Sequence, residues 1–375
     1  MSARRVYLDW NATTPPWPEV VEVMRQTALE AWGNPSSVHA EGRQARAIIE
    51  TLREAIAQLV QADPRDVILT SGGSEANALA LNGARALVAS RLDHPSVTRA
   101  AEALGDRGVA VAWLPVAPSG RLEPDSVRSA LAELGAGATV VVTAVNHETG
   151  VVQPVRAVFE QMRAAGARLH VDAVQAAGKV DPELFRRADS IALAAHKLRG
   201  PKGIGALVFR GNPSLIRPLA WGGSQERGLR PGTQDAVLAA GFLSALAHSA
   251  DGPARYQRLA AHRDRLEAAL AGLARPNVTE HRAPHVSSLY VPGARGDELV
   301  AALDLAGLAV SSGSACSAGS SEASPVLRAM LGEERARSSI RISLGDGTDG
   351  DAIDFAISVL LRVLSSPGAL ASGNA

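Results

Sequence analysis

The stretch SIALAAHKLRGPKGIGALVF (190–209) decides the fold. It opens on an apolar run, 190–195, and breaks at His196-Lys197. It then turns through glycine and proline and resumes as a second apolar run, 204–209. Short apolar runs bounded by turn residues are the pattern of strands buried on both faces. Working outward, the pattern recurs at 67–70 (VILT), 109–114 (VAVAWL), 139–145 (TVVVTAV) and 168–171 (RLHV). Helix-like stretches rich in Ala, Leu and Arg lie among them at 41–61, 75–90, 96–104, 125–134 and 155–165. Buried strands alternating with helices predict an α/β domain with a mostly parallel sheet. Helical patterns at 235–250 and 254–274 follow. The strand-like SSLYV (287–291), a helix at 296–306 and IRISLG (340–345) then predict a smaller C-terminal α/β domain. Residues 366–375 have too little apolar content to pack and read as a disordered tail.

Composition narrows the function. The chain has 375 residues, 46% of them hydrophobic and 20% charged, enough to bury a substantial core. Its 38 basic residues balance its 38 acidic ones, so the basic excess of a nucleic-acid or anionic-membrane binder is missing. A single cysteine rules out an intramolecular disulfide and, without clustered Cys/His spacing, predicts no metal site. The opening MSARRVYLDW has no apolar signal core, and no run is long enough to span a membrane. The expectation is a cytoplasmic protein in a reducing compartment.

In open α/β sheets, ligands bind beyond the carboxyl ends of the strands, so the polar residues just after each strand carry the argument. In TSGGSEAN (70–77), two glycines lead into a helix start, where Gly73 and Ser74 would offer backbone N–H groups and a helix dipole to a phosphate. The same pattern also fits a helix capped by Ser71 or Ser74. Asp172 ends a strand and Gln175 follows one turn later, so both would face one ligand. Lysine occurs only at positions 179, 197 and 202, which limits primary-amine chemistry to three candidates. Lys197, just past a buried strand, is favoured, because partial desolvation suits Schiff-base formation. Lys202, in GPKG, is expected to be more exposed. Cys316 lies in SSGSACSAGSSEAS (311–324), a loop-like stretch with almost no large apolar residue, which suits a reactive thiol rather than a core one. Arg341, in a strand-like run, would grip a carboxylate through two hydrogen bonds. His94 would stack on a flat cofactor or act as an acid/base group. Each of these residues taken singly also fits an ordinary structural role.

Together the segments closely resemble the cysteine desulfurase family, in the class-V aminotransferase branch of fold-type I pyridoxal-phosphate (PLP) enzymes. The similarity runs in order from YLDWNATTPP (7–16) to IRISLGDGT (340–348). Between them come GNPSSVHAEGRQAR (33–46), TSGGSEANALAL (70–81), HVDAVQAAGK (170–179), AHKLRGPKGIGAL (195–207), GGSQERGLRPGT (222–233) and SSGSACSAG (311–319). The resemblance implies a fold-type I enzyme with a large PLP-binding domain over 16–250. A small domain over 1–15 and 251–365 would carry the Cys316 loop. Lys197 would bind PLP covalently, Asp172 would pair with its pyridine nitrogen, Gln175 would reach its hydroxyl and His94 would stack on its face and act in catalysis. Gly73, Ser74 and His196 would hold its phosphate, and Thr233 would reach the phosphate site of a second subunit, which implies a homodimer. Asn34 and Arg341 would hold the carboxylate of L-cysteine. Cys316 would take the sulfur as a persulfide and pass it to an acceptor protein for iron–sulfur cluster or thio-cofactor and tRNA biosynthesis, its loop resembling that of the iron–sulfur-assembly group.

Two positions depart from the family pattern. His147 stands where a second asparagine is usual, facing the ring-hydroxyl region. Ala194 and Ala195 stand where a serine is usual, removing a possible phosphate contact. Two other functions compete: a PLP-dependent selenocysteine lyase or related C–S lyase that needs no protein thiol, and a non-catalytic scaffold of the same fold.

Overall fold

The computed structural model describes residues 4–313 and 323–365. The chain enters through a two-residue strand, β1 (Val6–Tyr7). A seven-stranded sheet follows, made of β2 (Val67–Thr70), β3 (Ala86–Ser90), β4 (Ala110–Leu114), β5 (Thr139–Thr143), β6 (Arg168–Asp172), β7 (Ser190–Ala194) and β8 (Gly205–Phe209). Their order is β2-β8-β7-β6-β5-β3-β4. Only β8 runs against its neighbours, pairing antiparallel with both β7 and β2, and the remaining pairings are parallel. The mostly parallel sheet expected from the sequence is therefore present. β2, β3, β5, β6 and β7 all point the same way, so their carboxyl ends meet along one edge.

One expected element is corrected. The helix anticipated over 75–90 is two elements: a helix at Gly73–Leu81 and the strand β3. Gly83 marks the break. Its φ of +136° suits glycine alone, and a Cβ there would lie 2.4 Å from the Leu215 carbonyl oxygen. ALVAS (86–90) is buried at all five positions, as a central strand demands. The sequence reading also passed over helices at Pro18–Glu30 and Gly350–Leu364.

Two large hydrophobic clusters form. One packs around the main sheet and includes Val88, Val140, Val142, Val171, Leu193 and Val208. The other joins Val6 and Leu8 to Leu266, Leu289, Ile340, Ile342 and Leu360. The second is built on an antiparallel sheet of β9 (Arg275–Pro276), β10 (Val286–Tyr290) and β12 (Ser339–Ser343), and on β1 pairing parallel with β11 (Leu308–Ala309). Asp9 bridges to Ser343, which brings the segment after β1 to the edge where the main strands end. Among the described residues no helix is long and apolar enough to cross a membrane.

Candidate active site

A cavity of about 200 Å³ opens at that edge. Nine of the residues singled out from the sequence line it: Gly73, Ser74, His94, His147, Asp172, Gln175, His196, Lys197 and Arg341. Each follows a strand end or lies on β12, so parallel strand direction gathers positions far apart in the chain. Asn34 and Thr233 are exposed and lie outside the cavity wall. Cys316 lies outside the described residues. Lys202 is exposed, as expected, while Lys197 is half-buried.

Asp172 is held from two sides. The Val174 backbone N–H donates to its Oδ1 at 3.0 Å, and Asn77 Nδ2 donates to its Oδ2 at 2.7 Å. Because Asn77 presents its amide nitrogen to Asp172, its oxygen must accept from His170 Nε2, 2.9 Å away. His170 then carries its proton on Nε2, and Ser190 donates its hydroxyl to Nδ1 at 2.9 Å. Burial pushes His170 down to about 3, which keeps this tautomer neutral.

Lys197 donates to the carbonyl oxygens of Asn11 and Ala12, the latter at 2.7 Å. The Asn11 carbonyl also accepts from Gln175 Nε2 at 2.8 Å, and the Asn11 side chain donates to the His147 carbonyl at 3.1 Å. The N-terminal segment thus closes one side of the cavity.

His94 caps the helix Pro95–Gly105 through Nδ1, which accepts from the Ser96 backbone N–H at 3.1 Å. Its Nε2 carries the proton in the neutral form. Burial, then the nearby His147 and Lys197, lower His94 to about 4 against the pull of Asp172. Asp93 anchors this turn to β5, accepting from the Thr143 hydroxyl at 2.8 Å, and burial raises it to about 6. Burial, then the charges of Lys197, Lys179 and Lys202, depress His196 to about 4, and its Nδ1 lies 3.1 Å from the Thr13 hydroxyl.

His147 meets His94 edge-on, ring centres 5.0 Å apart, and its Nε2 lies 3.4 Å from Glu148 Oε1. Neither imidazole nitrogen of this buried ring has a hydrogen-bond partner among the described residues. Arg341 is also buried. Its Nη1 donates to the His147 carbonyl at 2.9 Å and its Nη2 to Asp9 at 2.6 Å, while its Nε has no partner among the described residues.

Neither Ser71 nor Ser74 caps the helix at Gly73–Leu81, whose N-cap is Gly72 with no side-chain hydrogen bond. Its first N–H groups therefore face the cavity without a local cap, which fits an anionic ligand. With the Asp172 carboxylate, the Lys197 amine and the His147 imidazole lining the same cavity, the donor set fits PLP.

Sequence reasoning missed Asn11, Asn77, Asp93, Ser96 and Thr143. Asn77 stood inside the quoted 70–77 motif, and Asn11 inside 7–16. Neither residue type signals chemistry by itself, and their roles depend on contacts 95 and 186 positions away in the chain.

The model of the aminotransferase class-V family matches residues 6–354. A cysteine desulfurase IscS of Methylococcus capsulatus is 39% identical, over 95% of this chain and 91% of that protein. Among solved structures, a NifS-like protein superposes with a TM-score of 0.88 at 30% identity, covering 96% of this chain and 99% of its own. A structure described as SspA in complex with cysteine gives 0.79 at 30% identity, covering 90% and 98%. Matched along nearly its whole length in sequence and in fold, the chain belongs to the class-V aminotransferase family, within its cysteine desulfurase group.

Proposed function

We propose that this PLP-dependent cysteine desulfurase takes sulfur from L-cysteine onto Cys316 and hands it to an acceptor protein. The observation that carries the reading is the meeting of Lys197, Asp172, His94, His196 and Arg341 in one cavity at the carboxyl ends of parallel strands. The cysteine-bound relative supports the substrate.

Lys197 would hold PLP through its amine, Asp172 would keep the pyridine nitrogen protonated, and Gln175 and His147 would face the ring hydroxyl. Gly73, Ser74 and His196 would hold the phosphate, with Thr233 serving the site of a second subunit in a homodimer. When bound, PLP supplies an electron sink for the charge left at the substrate's α-carbon. Asn34 and Arg341 would orient the substrate carboxylate. The Lys197 amine moves the α-proton, with His94 as a neutral neighbour able to donate from Nε2. The Cys316 thiolate attacks the substrate sulfur. An S–S bond forms, the carbon–sulfur bond breaks, and the carbon skeleton takes up protons and leaves as alanine. The persulfide stays on Cys316 until an acceptor removes it. The large domain would span 16–250 and the small domain 1–15 with 251–365. We place the protein in the cytoplasm, where a reduced thiol persists.

The test is an absorbance spectrum of the purified protein, with alanine and sulfide measured from L-cysteine and a thiol reductant, on wild type and Cys316→Ser. A yellow protein whose sulfide production disappears in the variant supports the reading. Equal activity without Cys316 would replace it with a thiol-independent C–S lyase, and a colourless, inactive wild type with a scaffold.

A further inference from the structure

Lys179 is fully buried, at 2% exposure, and no step above uses it. Its ammonium donates to Gln175 Oε1 at 2.9 Å and makes no other hydrogen bond among the described residues. Tyr256 lies beneath it, 5.9 Å from nitrogen to ring centre, with His285 edge-on to that ring. Lys179 and Lys197 line one small cavity together with Asp346 and Arg255, and Arg255 Nε donates to Asp346 Oδ1 at 3.0 Å. The charged groups facing Lys179 are thus Lys197, Arg341 and Asp346, and burial followed by the Lys197 charge lowers it to about 7.

A buried lysine beside one neutral amide is an expensive arrangement unless the amide's orientation matters. Both the ammonium and the neutral amine carry N–H groups, so Lys179 donates to the oxygen of Gln175 in either form. The Gln175 nitrogen must then turn away, toward the Asn11 carbonyl that also receives Lys197. Of its two protons, one goes to Asn11. The other has no acceptor among the described residues, and Gln175 lines the main cavity.

We propose that Lys179 is a positioning residue that locks the Gln175 amide so that it offers an N–H, never a carbonyl oxygen, to the cofactor's ring oxygen. The inference rests on the PLP reading above. An N–H directed at that oxygen stabilises its anionic form, and a carbonyl oxygen in its place would repel it, raising the affinity for protons of the linked oxygen and nitrogen.

The test is a pH titration of the holoenzyme's visible absorbance band in wild type, Lys179→Met and Lys179→Gln. Methionine fills the space without donating, whereas glutamine donates to Gln175 without charge. The midpoint is expected to rise by about half a unit or more in Lys179→Met, and Lys179→Gln to recover most of that rise. If Lys179→Met does not fold, Lys179→Leu carries the same test. It too fills the space without donating, so the midpoint rises. An unchanged midpoint in the variant that folds, or a rise equal to that of Lys179→Gln, overturns the proposal. A colourless wild type would instead sink the PLP reading itself.

Discussion

Asn77 donates a 2.7 Å hydrogen bond to Asp172, and through its oxygen ties that carboxylate to the buried imidazole of His170. The amide, carried by the helix at Gly73–Leu81, grips two residues of β6, so the Asp172 carboxylate is held in a fixed orientation. Asn77→Ala leaves Asp172 short of a donor and His170 Nε2–H without an acceptor. Stability is expected to fall by about 2 kcal/mol, and PLP to be lost more readily on dialysis. Denaturant melts with cofactor absorbance check both, and a variant with wild-type values in each would remove Asn77 from the site.

The pair Arg53–Glu226 pins the glycine-rich 222–233 segment that carries Thr233. Arg53 Nη1 donates to Glu226 Oε2 at 2.7 Å, and the Leu69 backbone N–H reaches the same oxygen at 3.0 Å. The Glu226 side chain is 1% exposed. Arg53→Ala strands that carboxylate, with an expected loss of about 3–5 kcal/mol. Arg53→Met with Glu226→Gln should recover part of it. A single variant melting like wild type would contradict this.

Gly205 opens β8 directly under the start of the helix at Gly73–Leu81. A Cβ there would lie 2.5 Å from the Leu193 carbonyl oxygen and 2.7 Å from Gly72 Cα. All are backbone atoms, so Gly205→Ala must push the helix start. The expected cost is about 1–3 kcal/mol, with weaker PLP binding measured by fluorescence titration. Unchanged affinity would separate Gly72 and Gly73 from the phosphate.

Acid should weaken the fold. His94, His170 and His196 sit at about 4, 3 and 4 because burial holds them neutral. Their contribution to stability is complete above the usual histidine value of 6.5 and is lost as pH falls through about 4. Across that window the unfolded chain binds more protons than the folded one. Asp93 opposes them: raised to about 6, it contributes fully below 3.8 and loses that contribution as pH rises through 6. Three groups outweigh one, so the urea midpoint should drop between about pH 6.5 and pH 4.5. A midpoint that holds or climbs over that range would show that the histidines are not buried neutral.

The sequence by itself determined the mostly parallel α/β class of the sheet and the residue types at its edge. Apolar runs closed by polar residues gave the parallel strands, because a strand buried on both faces has no polar option until it ends. The same logic picked out Asp172, His196-Lys197 and the 70–77 motif. It misread 75–90 as one helix, since ALVAS is apolar enough for either element and only the backbone contact at Gly83 breaks it. Tertiary structure alone decided which carbonyls receive Lys197, which way the amides of Asn77 and Gln175 point, and why a buried Lys179 stands behind them. Those facts depend on distances between segments far apart in the chain, and hydrogen-bond direction is set by the partner, which no local pattern of residues encodes.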